Sequence, residues 1–547
     1  MTRTWRAREA PDQASPAGPP ARTPAAALAG RAGLVALAAA VLFFCYWRQS
    51  QSVPLSSDGS GNVLQAWDML HGNLLLSHWW VSDVSFYTTE LPQYMLIAAL
   101  TGRGPWVVHA AAAMTYTLLV LLAALLARGR ARGTEGLARA LLAAGLMLAP
   151  QLSATSILLL SPDHTGTAVP LLAIWLLIDR SPPRWFVPPL VGLAFAWVMV
   201  GDSIVLLTGI VPLVLVCLLR ACPGLVRRGE RPASRRYELA LAAAAAAAGV
   251  AGSYAPRAMA ALGGYQQSPV GADTDLGQLQ HGSWVTLQAF AELFGGNVFG
   301  VSYFGAQPVI EVVFVALHLA GALVAAWALG VGLARIFRFG ELIVPTFAVA
   351  IVLNLGAYMI STHAQDLLGA REMAAVLPLG AVLAGRVLGD RIPAWIRAAK
   401  RWFVPVLAVL TAGYLATLGL GAAQAAVPPV SESLATWLAA HQLTDGLAGY
   451  WQANSTTVAS RGQIVVSAVV QDSSDRLVPY QWETDDANYD PARHYANFVV
   501  AGGPTGLPGW SAELTFGRPA RVYQADGYTI MVWNTNILAK LSGPGLR

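Results

Sequence analysis

Residues 106–128 read WVVHAAAAMTYTLLVLLAALLAR, an apolar stretch with no charge before its closing Arg128. At 1.5 Å per residue, a helix of this length matches the roughly 30 Å hydrocarbon core of a bilayer. The apolar character is continuous rather than alternating, so it describes a helix and not a barrel strand. Arg128, Arg130 and Arg132 follow at once and mark that end as cytoplasmic.

Comparable runs lie on both sides, at 32–48, 137–160, 166–178, 185–201, 203–220, 238–255, 309–334, 342–361, 373–388 and 402–424. The 547 residues are 55% apolar and 12% charged, with mean hydropathy +0.50. Soluble domains carry about 25% charged residues. The expected fold is therefore an α-helical polytopic membrane protein of about eleven transmembrane helices. A net charge of +5 would suit nucleic acid if it were clustered. Instead the arginines fill alternate short loops: Arg180 and Arg184, then Arg220 to Arg236, Arg335 and Arg338, Arg386 to Arg401. Those loops are expected to be cytoplasmic, and no nucleic-acid partner is implied. Residues 49–102 contain no Lys or Arg but carry Asp58, Asp68, Asp83 and Glu90. The expected location is the cell membrane, with the N-terminus cytoplasmic and the C-terminus extracytoplasmic.

Residues 1–31 are rich in Pro, Ala and Arg and read as a disordered cytoplasmic tail. The run after them ends in bulky Phe43, Phe44, Tyr46 and Trp47, so it reads as an uncleaved first span rather than a signal peptide. Residues 32–427 form the expected transmembrane domain, with two long outer loops at 49–105 and 256–308. The second loop is rich in aromatics, including Tyr303 and Phe304, and suits interfacial helices and a groove for a lipid tail. From 428 to 547 the composition turns polar and mixed. Period-two runs at 463–470 and 528–533, with turns at Gly502-Gly503-Pro504 and Asp526-Gly527, predict an extracytoplasmic α+β domain that opens with a helix near 432–442. Cys45, Cys217 and Cys222 lie in or beside spans, which leaves no disulfide framework and no zinc cluster. No GxSxG, P-loop or dinucleotide fingerprint occurs.

The first outer loop holds Ser56-Ser57-Asp58-Gly59, then Leu70-His71-Gly72, then Phe86-Tyr87-Thr88-Thr89-Glu90-Leu91-Pro92. This string resembles the first outer loop of the GT-C glycosyltransferases, in particular the branch of the lipid A aminoarabinose transferase and the protein O-mannosyltransferases. The resemblance covers about 45 residues as motif, and the general layout besides. It implies inverting sugar transfer from a polyprenyl-phosphate donor to a cell-envelope acceptor, among membrane lipids. It implies that Asp58 is the general base or an electrostatic partner of the acceptor, with Tyr87 and Glu90 positioning the acceptor or the loop. Several members carry Lys directly after the Glu, where this chain has Leu91, so phosphate recognition is expected elsewhere.

The residues support these roles on their own terms. An attacking hydroxyl must lose its proton, and a carboxylate buried beside Trp67, Trp79 and Trp80 can take it. Asp58 equally suits the N-cap of the helix that follows. Asp163 and His164, in Ser161-Pro162-Asp163-His164-Thr165, are charged groups at an outer span end where topology needs none. Asp163 could orient Asp58, bind acceptor or hold a divalent cation, or simply cap the next helix; no metal is assigned. Arg371 is a lone cation on a base-poor face and matches a phosphate leaving group, unless Asp366 or Glu372 pairs with it. Arg257 is the second phosphate candidate. Asp68 and Asp83 read as solvated surface, and Tyr450, Trp451, Trp482, Trp510 and Trp533 as core of the outer domain. The runner-up function is a transporter or lipid flippase, which needs polar groups along a mid-membrane path; a non-catalytic scaffold is a third.

Overall fold

The computed structural model describes residues 24–222, 234–269, 274–299, 308–336, 341–503 and 506–541. It divides into two compact units, Met1–Leu42 and Phe43–Arg547. In the first, residues from Pro24 onward belong to the helix Pro24–Ser50. The sheets and the candidate site described below lie in the second. Most of the expected tail, residues 1–23, lies outside the described residues, as do 270–273 and 300–307 of the second outer loop, with Tyr303 and Phe304.

Each of the eleven apolar runs carries helix. Among the described residues, four helices are long and apolar enough to cross a membrane: Ala32–Ser50, Trp106–Arg128, Val312–Ala334 and Arg401–Ala422. A fifth counts if Arg235–Ser253 and Ala255–Ala261, bent by 41°, form one span. The others are shorter, such as Val376–Leu388 with 13 residues. Such a helix rises about 20 Å, less than the hydrocarbon core. The run expected over 137–160 is broken. Its helix, Gly133–Met147, stops before Pro150, which has no N–H to donate and disfavours helical backbone at Ala149. The Trp106–Arg128 helix ends at Gly129, whose φ of 54° only glycine adopts cheaply.

The polar region is mixed α and β. Among the described residues there are nine strands: β1 Trp79–Val81, β2 Gln266–Gln267, β3 Asp445–Ala448, β4 Val465–Gln471, β5 Leu477–Pro479, β6 Thr484–Asp485, β7 Phe498–Gly502, β8 Arg521–Ala525 and β9 Tyr528–Val532. Six of them form a sheet in the order β5-β4-β3-β7-β9-β8. Strand β3 lies parallel to both β4 and β7. Both faces of this sheet are buried: Phe498, Val500 and Ile530 pack on one, Val499, Met531 and Phe516 on the other. The β8–β9 hairpin turns at Asp526 and Gly527, with φ 51° and 80°, the positive pair a two-residue hairpin requires. The expected opening helix is Val430–Ala440.

Strands β2, β1 and β6 make a second, small sheet. It ties together the first outer loop (β1), the second outer loop (β2) and the strand-bearing region (β6). Trp80 pairs with Gln266 on one side and Thr484 on the other. The helix Tyr450–Ala459 packs beside the helix Ser57–Leu70, sending Val458 into the core of the first outer loop with Val63, Ala66 and Phe86. These two joints bring residues some 400 positions apart to one place.

Candidate functional site

The helix Ser57–Leu70 begins where Ser56, in extended backbone, accepts a hydrogen bond from the Gly59 N–H at 3.0 Å. Ser56 therefore takes the cap that Asp58 could have filled. Asp58 stands in the first turn, where the helix dipole favours an anion. Its Oδ2 lies 3.1 Å from Arg371 Nη1. The same nitrogen lies 3.3 Å from Asp163 Oδ2. Arg371 comes from the 3₁₀ segment Leu368–Met373, ahead of the helix Val376–Leu388. Its other nitrogens, Nε and Nη2, make no hydrogen bond among the described residues, and 22% of the side chain is exposed. The alternative partners of Arg371 are engaged elsewhere: Asp366 caps the Leu368 N–H at 2.8 Å, and Glu372 pairs with His363 at 2.7 Å.

Asp163 is 3% exposed and does not cap the following helix, whose N-cap is Thr167. Ser161 Oγ donates to its Oδ2 at 2.5 Å and Asn62 Nδ2 to its Oδ1 at 3.2 Å. Burial pushes its carboxyl up, and the Arg371 guanidinium offsets part of that. His164, next along, sits at φ 57° with its Nδ1 2.9 Å from Asp202 Oδ2. Burial pushes this imidazole down, but the Asp202 carboxylate outweighs it and raises His164 to about 10, so the ring is a cation at neutral pH. Thr167 Oγ1 donates to the same Asp202 oxygen at 2.7 Å.

Glu90 is fully buried and joins the loops. Its Oε1 accepts from the Thr167 N–H at 2.8 Å, and Thr89 Oγ1 donates to its Oε2. Burial and the facing Asp202 carboxylate hold it well above the usual carboxylate range. Tyr87 donates to the Leu74 carbonyl at 2.7 Å and touches Tyr265. Leu91 is wholly buried in the loop core, closed to solvent. Arg257 is exposed, over the Tyr254 ring at 5.9 Å, and makes no contact with the carboxylates.

The tryptophans do not bury Asp58. Trp79 Nε1 donates to Asp68 at 2.9 Å and Trp80 Nε1 to Asp486 at 2.8 Å, while Trp67 lies under Arg103. Asp68 is thereby a structural acceptor rather than free surface, and Asp83 is half-buried. The strand-bearing region reaches Asp58 instead. Tyr450 donates to Asp58 Oδ1 at 2.6 Å, and its oxygen lies 2.9 Å from Glu483 Oε2. Tyr450 was expected in a core, and Glu483 and Asn62 carried no sequence signal. Asp202, which holds the sequence candidate His164, was not among the residues selected from the sequence.

The arrangement has the parts of an acid–base and anion-binding centre: a partly exposed carboxylate, a guanidinium with free donors, and a second, buried carboxylate behind it. A cavity of about 300 Å³ opens at the start of the Arg371 segment, lined by Ser153, Ser156, Ile157, Glu292, Asp366, Leu367 and Leu368. Among the described residues no group of three His, Cys, Asp or Glu side chains is placed to hold a metal ion.

No family model and no curated protein sequence matches the chain. Solved structures do. ArnT from Cupriavidus metallidurans in the apo state aligns over 94% of this chain and 100% of its own, with TM-score 0.54 and 15% identity. The same protein bound to undecaprenyl phosphate aligns over 94% and 99%, with TM-score 0.53 and 14% identity. The archaeal oligosaccharyltransferase AglB from Archaeoglobus fulgidus, in complex with an inhibitory peptide and a dolichol-phosphate, aligns over 85% and 69%, with TM-score 0.45 and 12% identity.

Proposed function

We propose, on the premise of the GT-C glycosyltransferase fold that this chain carries, that it transfers a sugar from a polyprenyl-phosphate donor to a cell-envelope acceptor on the extracytoplasmic face, with inversion. The observation that carries this reading is the meeting of Asp58, Asp163 and Arg371 on one guanidinium nitrogen. Three segments far apart in sequence supply them. The undecaprenyl phosphate bound to the Cupriavidus ArnT structure supports a lipid phosphate as the donor's leaving group.

In this mechanism Arg371 turns its unused donors to the phosphate and leaves Asp58 Oδ2 free. Asp58 then accepts the proton of the acceptor group as that group attacks the anomeric carbon. The bond from that carbon to the phosphate oxygen breaks, and Arg371 and the His164 cation stabilise the departing anion. Asp163 holds Arg371 from behind. The products are the glycosylated acceptor, polyprenyl phosphate and a proton on Asp58. One displacement with a base and no protein nucleophile inverts the anomeric centre. Glu90 and Tyr87 set the loop that presents Asp58; Arg257 has no part in this arrangement. The cavity beside Glu292 offers room for a sugar.

The topology belongs to the same proposal. The eleven helical runs of 32–427 cross the membrane, with residues 1–31 in the cytoplasm and 428–547 outside. The arginine-rich alternate loops support that orientation.

The test uses purified full-length protein in lipid nanodiscs, labelled polyprenyl-phosphate sugars and an envelope extract. Asp58→Asn should lower transfer by about 10²–10⁴-fold in protein that remains folded. Wild-type turnover in that variant refutes the assignment.

A further inference from the structure

Tyr450 offers one phenolic proton to two carboxyl groups, Asp58 Oδ1 at 2.6 Å and Glu483 Oε2 at 2.9 Å. A hydroxyl donates once and accepts through its lone pairs. Both contacts are hydrogen bonds only if one carboxyl is itself protonated and donates to the phenol oxygen. The surroundings decide which. Asp58 faces the Arg371 guanidinium at 3.1 Å and keeps 19% of its side chain in solvent, conditions that favour a carboxylate. Glu483 is 2% exposed and makes no ion pair among the described residues. The charges that act on it most are those of Asp58, Asp163 and Asp83, all acidic, while the nearby cation Arg371 is paired with Asp58 and Asp163; Tyr450 and Tyr480 are further titratable neighbours. An unpaired buried charge is costly, so the proton belongs on Glu483. Burial first, and then the Asp58 carboxylate, accordingly hold its carboxyl well above the ordinary range.

The local backbone is built for this contact. Glu483 sits at φ 47°, in the left-handed region that non-glycine residues seldom enter. Asn454 Nδ2 donates to its carbonyl at 3.0 Å. On the other side Gly61 leaves the space Glu483 occupies, since a Cβ there would collide with Oε2. Tyr450 opens its helix at the carboxyl end of β3, between β4 and β7, the crevice where parallel sheets present functional groups. Ser57 Oγ donates to the Tyr450 carbonyl at 2.6 Å and fixes it to the first turn of the Asp58 helix.

We infer that the strand-bearing domain supplies a neutral acid, Glu483, that donates to Tyr450, which in turn donates to Asp58 Oδ1 and holds the base in its ionised, aimed form. Glu483 and Tyr450 are positioning residues, and the inference rests on the reading of Asp58 as the base. During transfer the acceptor's proton goes to Asp58 Oδ2, and the Glu483 proton stays where it is. Above the pH at which Glu483 ionises, Tyr450 has two anions to serve, and Asp58 loses its fixed donor.

Infrared difference spectra of full-length protein with ¹³C-labelled glutamate test the protonation state. The wild-type-minus-Glu483→Gln difference at pH 7 should contain the carbonyl stretch of a protonated glutamic acid, separate from any band of the other buried acid, Glu90, which both proteins share. A difference without that stretch overturns the inference. The transfer assay tests the role. Tyr450→Phe should lower kcat on the order of 10²-fold with little change in donor KM. Glu483→Gln keeps a neutral donor that cannot ionise, so it should remove the alkaline fall of kcat that Glu483 ionisation is expected to give the wild type, whereas Glu483→Ala should lower kcat at every pH. An alkaline limb that persists in Glu483→Gln below the range near pH 10 where His164 loses its charge refutes the role. The infrared result needs no turnover, so a chain that transfers no sugar defeats the proposed function without deciding the state of Glu483.

Discussion

Replacing Arg371 separates its two jobs, holding the site together and meeting a phosphate. At 3.1 and 3.3 Å, and an effective dielectric near 20, its attraction to Asp58 and to Asp163 is about 5 kcal/mol each before desolvation is subtracted. Much of that is offset by the cost of burying the charges, since the side chains are only 22%, 19% and 5% exposed. Removing the cation altogether, as in Arg371→Met, leaves two carboxylates facing each other and should cost about 3–5 kcal/mol. Adding Asp163→Asn to that variant removes one of the two and should return about 1–3 kcal/mol of it. Arg371→Lys is the sharper probe. It keeps a charge between the carboxylates but loses the planar fork that matches phosphate. Its melting temperature should stay near that of the wild type while donor KM rises about 10- to 100-fold, or about 1.4–2.8 kcal/mol. Polyprenyl phosphate, as a product inhibitor, should weaken by a similar factor. Steady-state transfer kinetics over a range of donor concentrations, with thermal melts of each variant, read all of these. A lysine variant with wild-type donor KM and wild-type inhibition refutes phosphate recognition by Arg371 and leaves it a structural cation.

Two other perturbations follow from the same geometry. His164 is raised to about 10, well above its unfolded value near 6.5, by Asp202. The stability it contributes is therefore complete below about pH 6.5 and is lost as pH rises through about 10, so the melting temperature should fall between pH 7 and pH 10 and that slope should flatten in Asp202→Asn; parallel slopes in the two proteins would count against the pair. Gly61→Ala drives a methyl group into the Glu483 carboxyl, and because that neighbour is fully buried the helix or the acid must move. Transfer should drop at least about tenfold while binding of the lipid phosphate persists, and an alanine variant with wild-type kcat would show that the close approach is unimportant.

What could be read from the chain divides along physical lines. Trp106–Arg128 announces itself because the cost of burying polar groups in lipid leaves a compositional mark on every residue of the run. Pro150, inside the run at 137–160, was a visible helix breaker whose effect the apolar signal masked. Asp58, Asp163 and Arg371 stood out because charge at an outer span end has no topological use. Tyr450 and Glu483 did not, since nothing in their own neighbourhood marks them. Their nearness to Asp58 depends on β6 pairing with β1 and on Val458 entering the loop core, contacts made across some 400 positions. A period-two pattern predicts strands but not which loop a strand will join. The tryptophans of the first loop misled for the same reason: the indoles of Trp79 and Trp80 are taken by Asp68 and Asp486, and Trp67 lies against Arg103.

The small sheet β2-β1-β6 has a consequence for biosynthesis. Its third strand, and the tyrosine and glutamate that come with it, leave the ribosome only after the apolar helices have been made. A nascent chain already threaded into the bilayer thus displays an aspartate with no phenol to steady it. Under the proposed topology, the segment that completes the centre must first be exported and folded on the far side, and its translocation would be the step that matures the protein.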